Sequence, residues 1–536
     1  MPARAATPQG AAPRVRRIKH PSLDERLSQG LTARDRTPPS SHAGWSPAAD
    51  RPDPVGLLEQ QDRTREPDLV PVRHGRMMVS PFTFYRGAAA IMTADLAATP
   101  AAGLGAQLCG DAHLSNFGAF ASPERVLLFD LNDFDETLPG PFEWDVKRMA
   151  ASFTIAGRNN GFTKADTRAA TMASVRAYRE AMAEFALMQT MEIWYASMGE
   201  DEVMASIRAM AAGTVRQEKA AKRQEKAAKR QETVDKRAKA PKKQEKQAAK
   251  LEEADKLLEK ADREQEKAAR TAAKRAEKTV AKARTRDSLQ ALSKLGELVD
   301  GQYRIVSQPP IIVPLRDLAG TYGLSARETE KGIRDQFRAY RATLQDDRRH
   351  VLEQFQFVDA ARKVVGVGSV GTRAFIVLLE GRDAQDPLFL QIKEATASVL
   401  EPYVRKSRYR QHGERVVQGQ RMMQAASDIY LGWTKGLDVQ RNFYWRQLRD
   451  MKGSALVEGM VPLGLTYYAH MCGWTLARAH ARSGDPVALA EYLGETDAFD
   501  TSITNFAARY ADQNDRDYEE FVNAVKSGRL EAVEGV

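Results

Sequence analysis

A 536-residue sequence with 43% apolar residues predicts an α+β protein in two lobes, interrupted by a long basic helical insertion. Helical spacing of apolar residues marks both ends of the chain, as in EWDVKRMAASFTIAGR (143–158) and YYAHMCGWTLARAHARSGD (467–485). Between them, ARKVVGVGSVGTRAFIVLLEGRDAQDPLFLQIKEA (361–395) changes to β-branched and glycine residues, which reads as three strands joined by tight turns. Residues 213–286 carry 25 Lys and Arg against 13 Asp and Glu, and contain the heptapeptide RQEKAAK twice in succession, at 216–222 and 223–229.

Taken in order, residues 1–50 are rich in Pro, Arg, Ser and Ala, and a disordered tail is expected. The opening MPARAATPQGAAPRVRRIKH has no apolar h-region, and no later run reaches roughly 18 uncharged apolar residues. A cytoplasmic protein with no membrane span is therefore expected. Cys109 and Cys472 are too few for a disulfide framework, which fits a reducing compartment.

Residues 51–212 are expected to form the first part of a helical lobe, with a strand in RVLLFDLNDFD (125–135) running into a carboxylate-rich turn. The insertion 213–286 should be helical, because Ala, Glu, Lys, Arg and Gln are strong helix formers and opposite charges recur at neighbouring positions. Its surplus of 12 positive charges leaves the remaining chain at −3 of the +9 total, so the basic character is local. The repeat lacks the sustained apolar seam of a coiled coil, and Pro241 interrupts it. A solvated helical face is the first reading of 213–286, and a weak nucleic-acid contact the second. Beyond it come a helical segment (287–350), a β-rich nucleotide-binding part (351–460) and closing helices (461–536).

The chemistry concentrates in LCGDAHLSNFGAF (108–120), too glycine-broken for a helix. Phosphoryl transfer needs a carboxylate to position an acceptor hydroxyl and hard oxygen ligands to hold Mg²⁺ on the phosphates. Asp111 precedes Asn116 by five residues, the separation between base and metal-binding Asn in the kinase catalytic loop. His113 completes G-D-x-H-x-x-N, which resembles the catalytic loop of aminoglycoside phosphotransferases and related small-molecule kinases. That resemblance implies Asp111 as the base, with His113 beside it, and Asn116 and Asp133 as metal ligands with Asp135 as neighbour. Asp130 remains an alternative ligand. Asp145 matches the buried helix aspartate that holds the loop, and Cys109 stands where those relatives carry His.

A phosphate cover and a cation appear some 250 residues later. Gly366, Gly368 and Gly371 have G-x-G-x-x-G spacing, and the strand FLQIK ends in Lys393. A dinucleotide site would need a helix after the last glycine, whereas TRAFIVLLEG predicts a strand. Strand, glycine turn, strand, hairpin and strand ending in Lys is the phosphate-covering arrangement of a kinase N-lobe. Lys393 needs a partner, and Glu394, Glu401 and Glu414 are candidates, with Glu414 opening a helix. Alternation places Gln391 on the face of Lys393, where kinases usually have a small residue against adenine. Arg76 and Arg86 are candidate contacts for an anionic substrate.

This order is rotated relative to kinases, which suggests a circular permutation of a two-lobed kinase-like fold. RHGRMMVSPFTFYRGAAA, CGDAHLSNFG, FDLNDFDETLPGPFEWDVKRMAAS and LQIKEA together also resemble a bacterial family of uncharacterised proteins. The expected activity is ATP- and Mg²⁺-dependent phosphoryl transfer to an unidentified small-molecule or protein hydroxyl. Nucleotidyl transfer on the same fold is one alternative. A non-catalytic pseudokinase, or a nucleic-acid adaptor using the basic helix, is another.

Overall fold

The computed structural model describes residues 20–205 and 267–535, except 268, 269, 272, 276, 319–324, 437, 439 and 449. The seven-residue repeat and Pro241 lie outside the described residues. Among the described residues the strands form four sheets. β1 (Gly105–Leu108), β2 (Phe117–Ala121), β3 (Leu127–Leu131) and β4 (Leu138–Pro141) frame the Asp111 loop, with β1 antiparallel to β4 and β2 antiparallel to β3. β5 (Gly296–Val299) and β6 (Gln302–Ile305) make a hairpin.

The largest sheet combines β7 (Ile312–Pro314), β8 (Gln356–Lys363), β9 (Ala374–Glu380), β10 (Pro387–Ala395), β11 (Gly432–Lys435) and β12 (Asn442–Gln447). Its order is β11-β12-β10-β9-β8-β7, and every neighbouring pair is antiparallel. A two-residue β13 (Gly453–Ser454) then pairs with β2. The three strands and intervening turns expected over 361–395 are present, and a strand follows Gly371. Period-two alternation sends Ile376 and Leu378 of β9 to Leu292, Leu295 and Ile305, and sends Val377 and Leu379 to Phe337, Tyr340 and Trp445. Both faces of the sheet are covered, which explains the continuous apolar run in its central strands.

The helical part is built from both chain ends. Met92, Phe142 and Tyr178, before the insertion, share one core with Val416, Leu476 and Phe506, after it. Its main helices are Phe142–Asn159, Lys164–Leu187, Pro462–Ala481 and Ala498–Lys526.

Two expectations are corrected. The region 1–50 is not disordered throughout: Leu23–Arg36 is a helix opened by a reciprocal Ser22–Glu25 capping box. Its polar composition is met by tertiary partners, including Arg26 on Asp485 at 3.0 Å. Trp45 is buried against Phe506 and Tyr510. The segment 287–350 is not purely helical, because it contains β5, β6 and β7 between its helices. β7 extends the large sheet at its edge, where Pro314 needs no ladder donor.

Candidate functional site

The Asp111 loop is fixed by the helix behind it. Asp145 accepts hydrogen bonds from Cys109 N at 2.8 Å and Gly110 N at 3.0 Å, the holding role expected for this residue. Gly110 has φ +82°, and a Cβ there would collide with the Glu136 carbonyl, so the turn requires glycine. Within the loop, the Asn116 side chain donates to Asp111 O at 2.7 Å, and Asn116 N donates to His113 O at 2.8 Å.

Asp111 itself carries an ion pair absent from the sequence-based expectations. Arg148, one turn after Asp145, places Nε at 2.8 Å and Nη2 at 2.7 Å from Asp111 Oδ1. The same guanidinium lies 3.9 Å from the centre of the Tyr85 ring and donates to Tyr85 O. Burial pushes the Asp111 carboxyl up despite Arg148. Asp111 Oδ2 lies 3.7 Å from His113 Nε2, beyond hydrogen-bond reach. Burial, with Arg148 and Arg86 nearby, holds His113 well below its ordinary value and therefore neutral.

The two distant segments meet here. Lys393, 2% exposed on β10, contacts Asp133 Oδ1 at 3.3 Å and also Asp135 Oδ2. Tyr444 of β12 donates to Asp135 Oδ1 at 2.6 Å. Burial disfavours the Lys393 charge, but the two carboxylates outweigh it and keep the ammonium protonated. Burial opposes ionisation of Asp135 as well, yet Lys393 pulls that carboxyl below its ordinary value. Asp133 is raised, by burial and by the Asp135 charge.

Other expected residues are sorted by the geometry. Asp130 faces away: it pairs with Arg478 and accepts from Ala425 N at 2.9 Å, fully buried. Glu394 pairs with Arg373 at 3.2 Å and Arg441 at 2.7 Å. The expected helix partner for Lys393 is corrected. The helix His412–Met423 turns Arg415 toward the site, where it donates to Asp135 O and Thr137 O at 2.7 Å, while Glu414 does not line the cavity. Gln391 Oε1 accepts from Arg446 Nε at 2.9 Å and so serves the sheet interior.

The glycine turn between β8 and β9 closes the other side. Gly366 and Gly371 have φ of +67° and +86°, and a Cβ at Gly368 would lie 3.0 Å from Arg86 O. Arg76 donates to Gly366 O at 2.6 Å. Ser369 Oγ approaches Asp135 Oδ2 at 3.5 Å. A cavity of about 520 Å³ opens between these parts, lined by Asp111, His113, Asn116, Asp133, Asp135, Gly366 and Gly368 among others. Arg65 and Arg86 also line it, each with a buried Nε that has no hydrogen-bond partner among the described residues. Arg86 was a candidate anion contact from the sequence, whereas Arg65 sits in no motif and was not singled out.

Asp133 and Asp135 are about a third and a quarter exposed at the cavity, and Asn116 adds an amide beside them. Two carboxylates and an amide suit Mg²⁺, which is commonly held by one or two carboxylates, substrate phosphates and water. Among the described residues no group of three or more His, Cys, Asp and Glu is arranged to hold a metal, so the protein alone builds no closed cage.

Fold and site together define a mixed α/β protein whose central cleft brings an aspartate-rich loop under a glycine turn and a buried lysine. The chain belongs to the family described as "Uncharacterized protein conserved in bacteria (DUF2252)", whose model matches residues 65–274 and 243–524. No curated protein and no solved structure matches it. Among the described residues no helix is long and apolar enough to cross a membrane.

Proposed function

We propose that this protein is a kinase-like phosphotransferase, circularly permuted, that moves a phosphoryl group from ATP to a hydroxyl. The observation that carries the proposal is the meeting of Lys393 with Asp133 and Asp135 at the cavity that Asp111 and Asn116 line. Asp111 Oδ2 takes the acceptor proton, while Arg148 fixes the carboxylate through Oδ1. Asn116, Asp133 and Asp135 would hold Mg²⁺, which would neutralise phosphate charge when bound. Lys393 then exchanges a carboxylate for a nucleotide phosphate, and backbone amides of the glycine turn cover the phosphates.

Calorimetric titration of the full chain with ATP, with and without Mg²⁺, tests this reading. Magnesium-dependent binding that both Asp133→Asn and Lys393→Ala weaken at least tenfold supports it; absence of nucleotide binding removes it. The Arg148 pair favours a second reading, nucleotide binding without turnover, because two guanidinium bonds occupy Asp111 Oδ1 and leave one oxygen for an acceptor proton.

A further inference from the structure

We propose that the helical part carries a second, phosphate-type anion site, separate from the central cavity and built on Arg348, Arg421 and Arg482 beside Trp194. A cavity of about 240 Å³ is lined by these residues, and none of its lining residues is shared with the central one. Arg421 and Arg482 make no ion pair among the described residues. Arg482 instead donates Nε to Met422 O at 3.2 Å and Nη1 to Trp194 O at 3.1 Å, and Arg421 donates to Leu431 O at 2.7 Å. Arg348 pairs, among the described residues, with its chain neighbour Asp347 at 3.2 Å.

The one carboxylate lining the cavity does not balance these cations. Asp428 spends Oδ1 on Tyr430 N and Oδ2 on Gln447 N. Burial and the nearby Arg478 charge pull Arg482 down to about 10, against the raising effect of Asp130. Burial also lowers Arg421. Three guanidiniums around a small concave volume are the recognition chemistry of a multidentate oxyanion, and a phosphate or pyrophosphate group matches their fork geometry. Trp194 adds a stacking surface: the residue is 46% exposed, and its ring already carries the Arg482 guanidinium at 3.8 Å.

The site adjoins the catalytic cleft through one helix. Arg421 and Arg415 stand six residues apart on His412–Met423, roughly 9 Å along its axis, and Arg415 holds the Asp135 carbonyl.

The test is calorimetric titration of the full chain with sodium pyrophosphate in metal-free buffer. Saturable binding is expected, weakened at least tenfold by Arg421→Gln and at least threefold by Arg348→Gln, and unchanged by Lys393→Ala. Arg348→Gln gives up only an exposed pair with its chain neighbour Asp347, so it remains informative if Arg421→Gln lowers the melting temperature. ATP titrated into Lys393→Ala distinguishes the ligand source. Tighter binding than pyrophosphate, with the gain lost in Trp194→Phe, places a nucleotide here, whereas equal affinity leaves a phosphate without a stacking group. No saturable pyrophosphate binding, binding indifferent to both arginine substitutions, or binding lost in Lys393→Ala overturns the proposal.

Discussion

Lys393 Nζ lies 3.3 Å from Asp133 Oδ1, although 260 residues separate them in the chain. The contact joins the large sheet to the Asp111 loop and leaves a 2%-exposed cation dependent on two acids. Lys393→Ala should therefore destabilise the fold by about 1–3 kcal/mol at pH 7, since both carboxylates lose their countercharge. Asp135 is held below its ordinary value, so its contribution is present above pH 3.8 and is lost as pH falls through the lowered value. Urea unfolding should show the wild-type and variant curves converging below about pH 4. A difference that stays constant with pH would mean that packing of the lysine stem, not its charge, accounts for the loss.

The site was legible where residue type and spacing carry chemistry locally. Asp111, His113 and Asn116 are held by bonds within six residues, and Asp145 reaches back to the loop as the resemblance implied. Arg148 was hidden because an arginine on an amphipathic helix reads as surface; only the packing around Tyr85 buries it against Asp111. The partner of Lys393 was misassigned for a related reason. A glutamate opening a helix is a local signal, whereas the acids that meet Lys393 come from a turn across the cleft. The N-terminal helix was missed because Arg26 and Arg34 find partners, Asp485 and the Tyr492 carbonyl, only far along the chain.

Asp111→Asn keeps the shape of the loop but removes the proton acceptor. On the phosphotransferase reading, turnover should fall at least a hundredfold while ATP·Mg²⁺ affinity changes less than threefold. Single-turnover assays after acceptor identification, paired with calorimetry, check this. Equal losses in binding and turnover would assign Asp111 to nucleotide binding instead.

Asp145→Ala leaves Cys109 N and Gly110 N without their acceptor in a buried turn. Each orphaned donor costs about 1–3 kcal/mol, so this should be among the more damaging single changes in the loop. Asp145→Asn, which keeps one acceptor oxygen, should recover about half. Equilibrium denaturation of both variants measures the ratio.

Gly366 and Gly371 differ in what surrounds them. Both have positive φ, but a Cβ at Gly366 meets open space, whereas one at Gly371 would lie 3.0 Å from Arg65 Cβ. Gly366→Ala should cost about 1–2 kcal/mol from backbone strain alone. Gly371→Ala should cost more and disturb the neighbouring Glu66 N to Gly371 O bond of 2.7 Å. Thermal melts rank the two, and the reverse order would show that the turn yields at Arg65.

Glu136 gives the fold a titration near neutrality. Burial raises its carboxyl to about 7, against the hydrogen bond it accepts from Val399 N at 2.7 Å and the nearby Arg415 charge. A raised folded value means that the native state binds more protons than the unfolded chain between about pH 4.5 and 7. The stabilisation is complete below pH 4.5 and is lost as pH rises through 7, amounting to about 3 kcal/mol. Glu136→Gln cannot ionise and still offers Val399 N an oxygen. Its unfolding free energy should be flatter than wild type across this window and exceed wild type at pH 8. A variant less stable than wild type at pH 8 would show that the ionised carboxylate is favourably solvated by the cleft cations, Arg415 foremost, rather than penalised by burial.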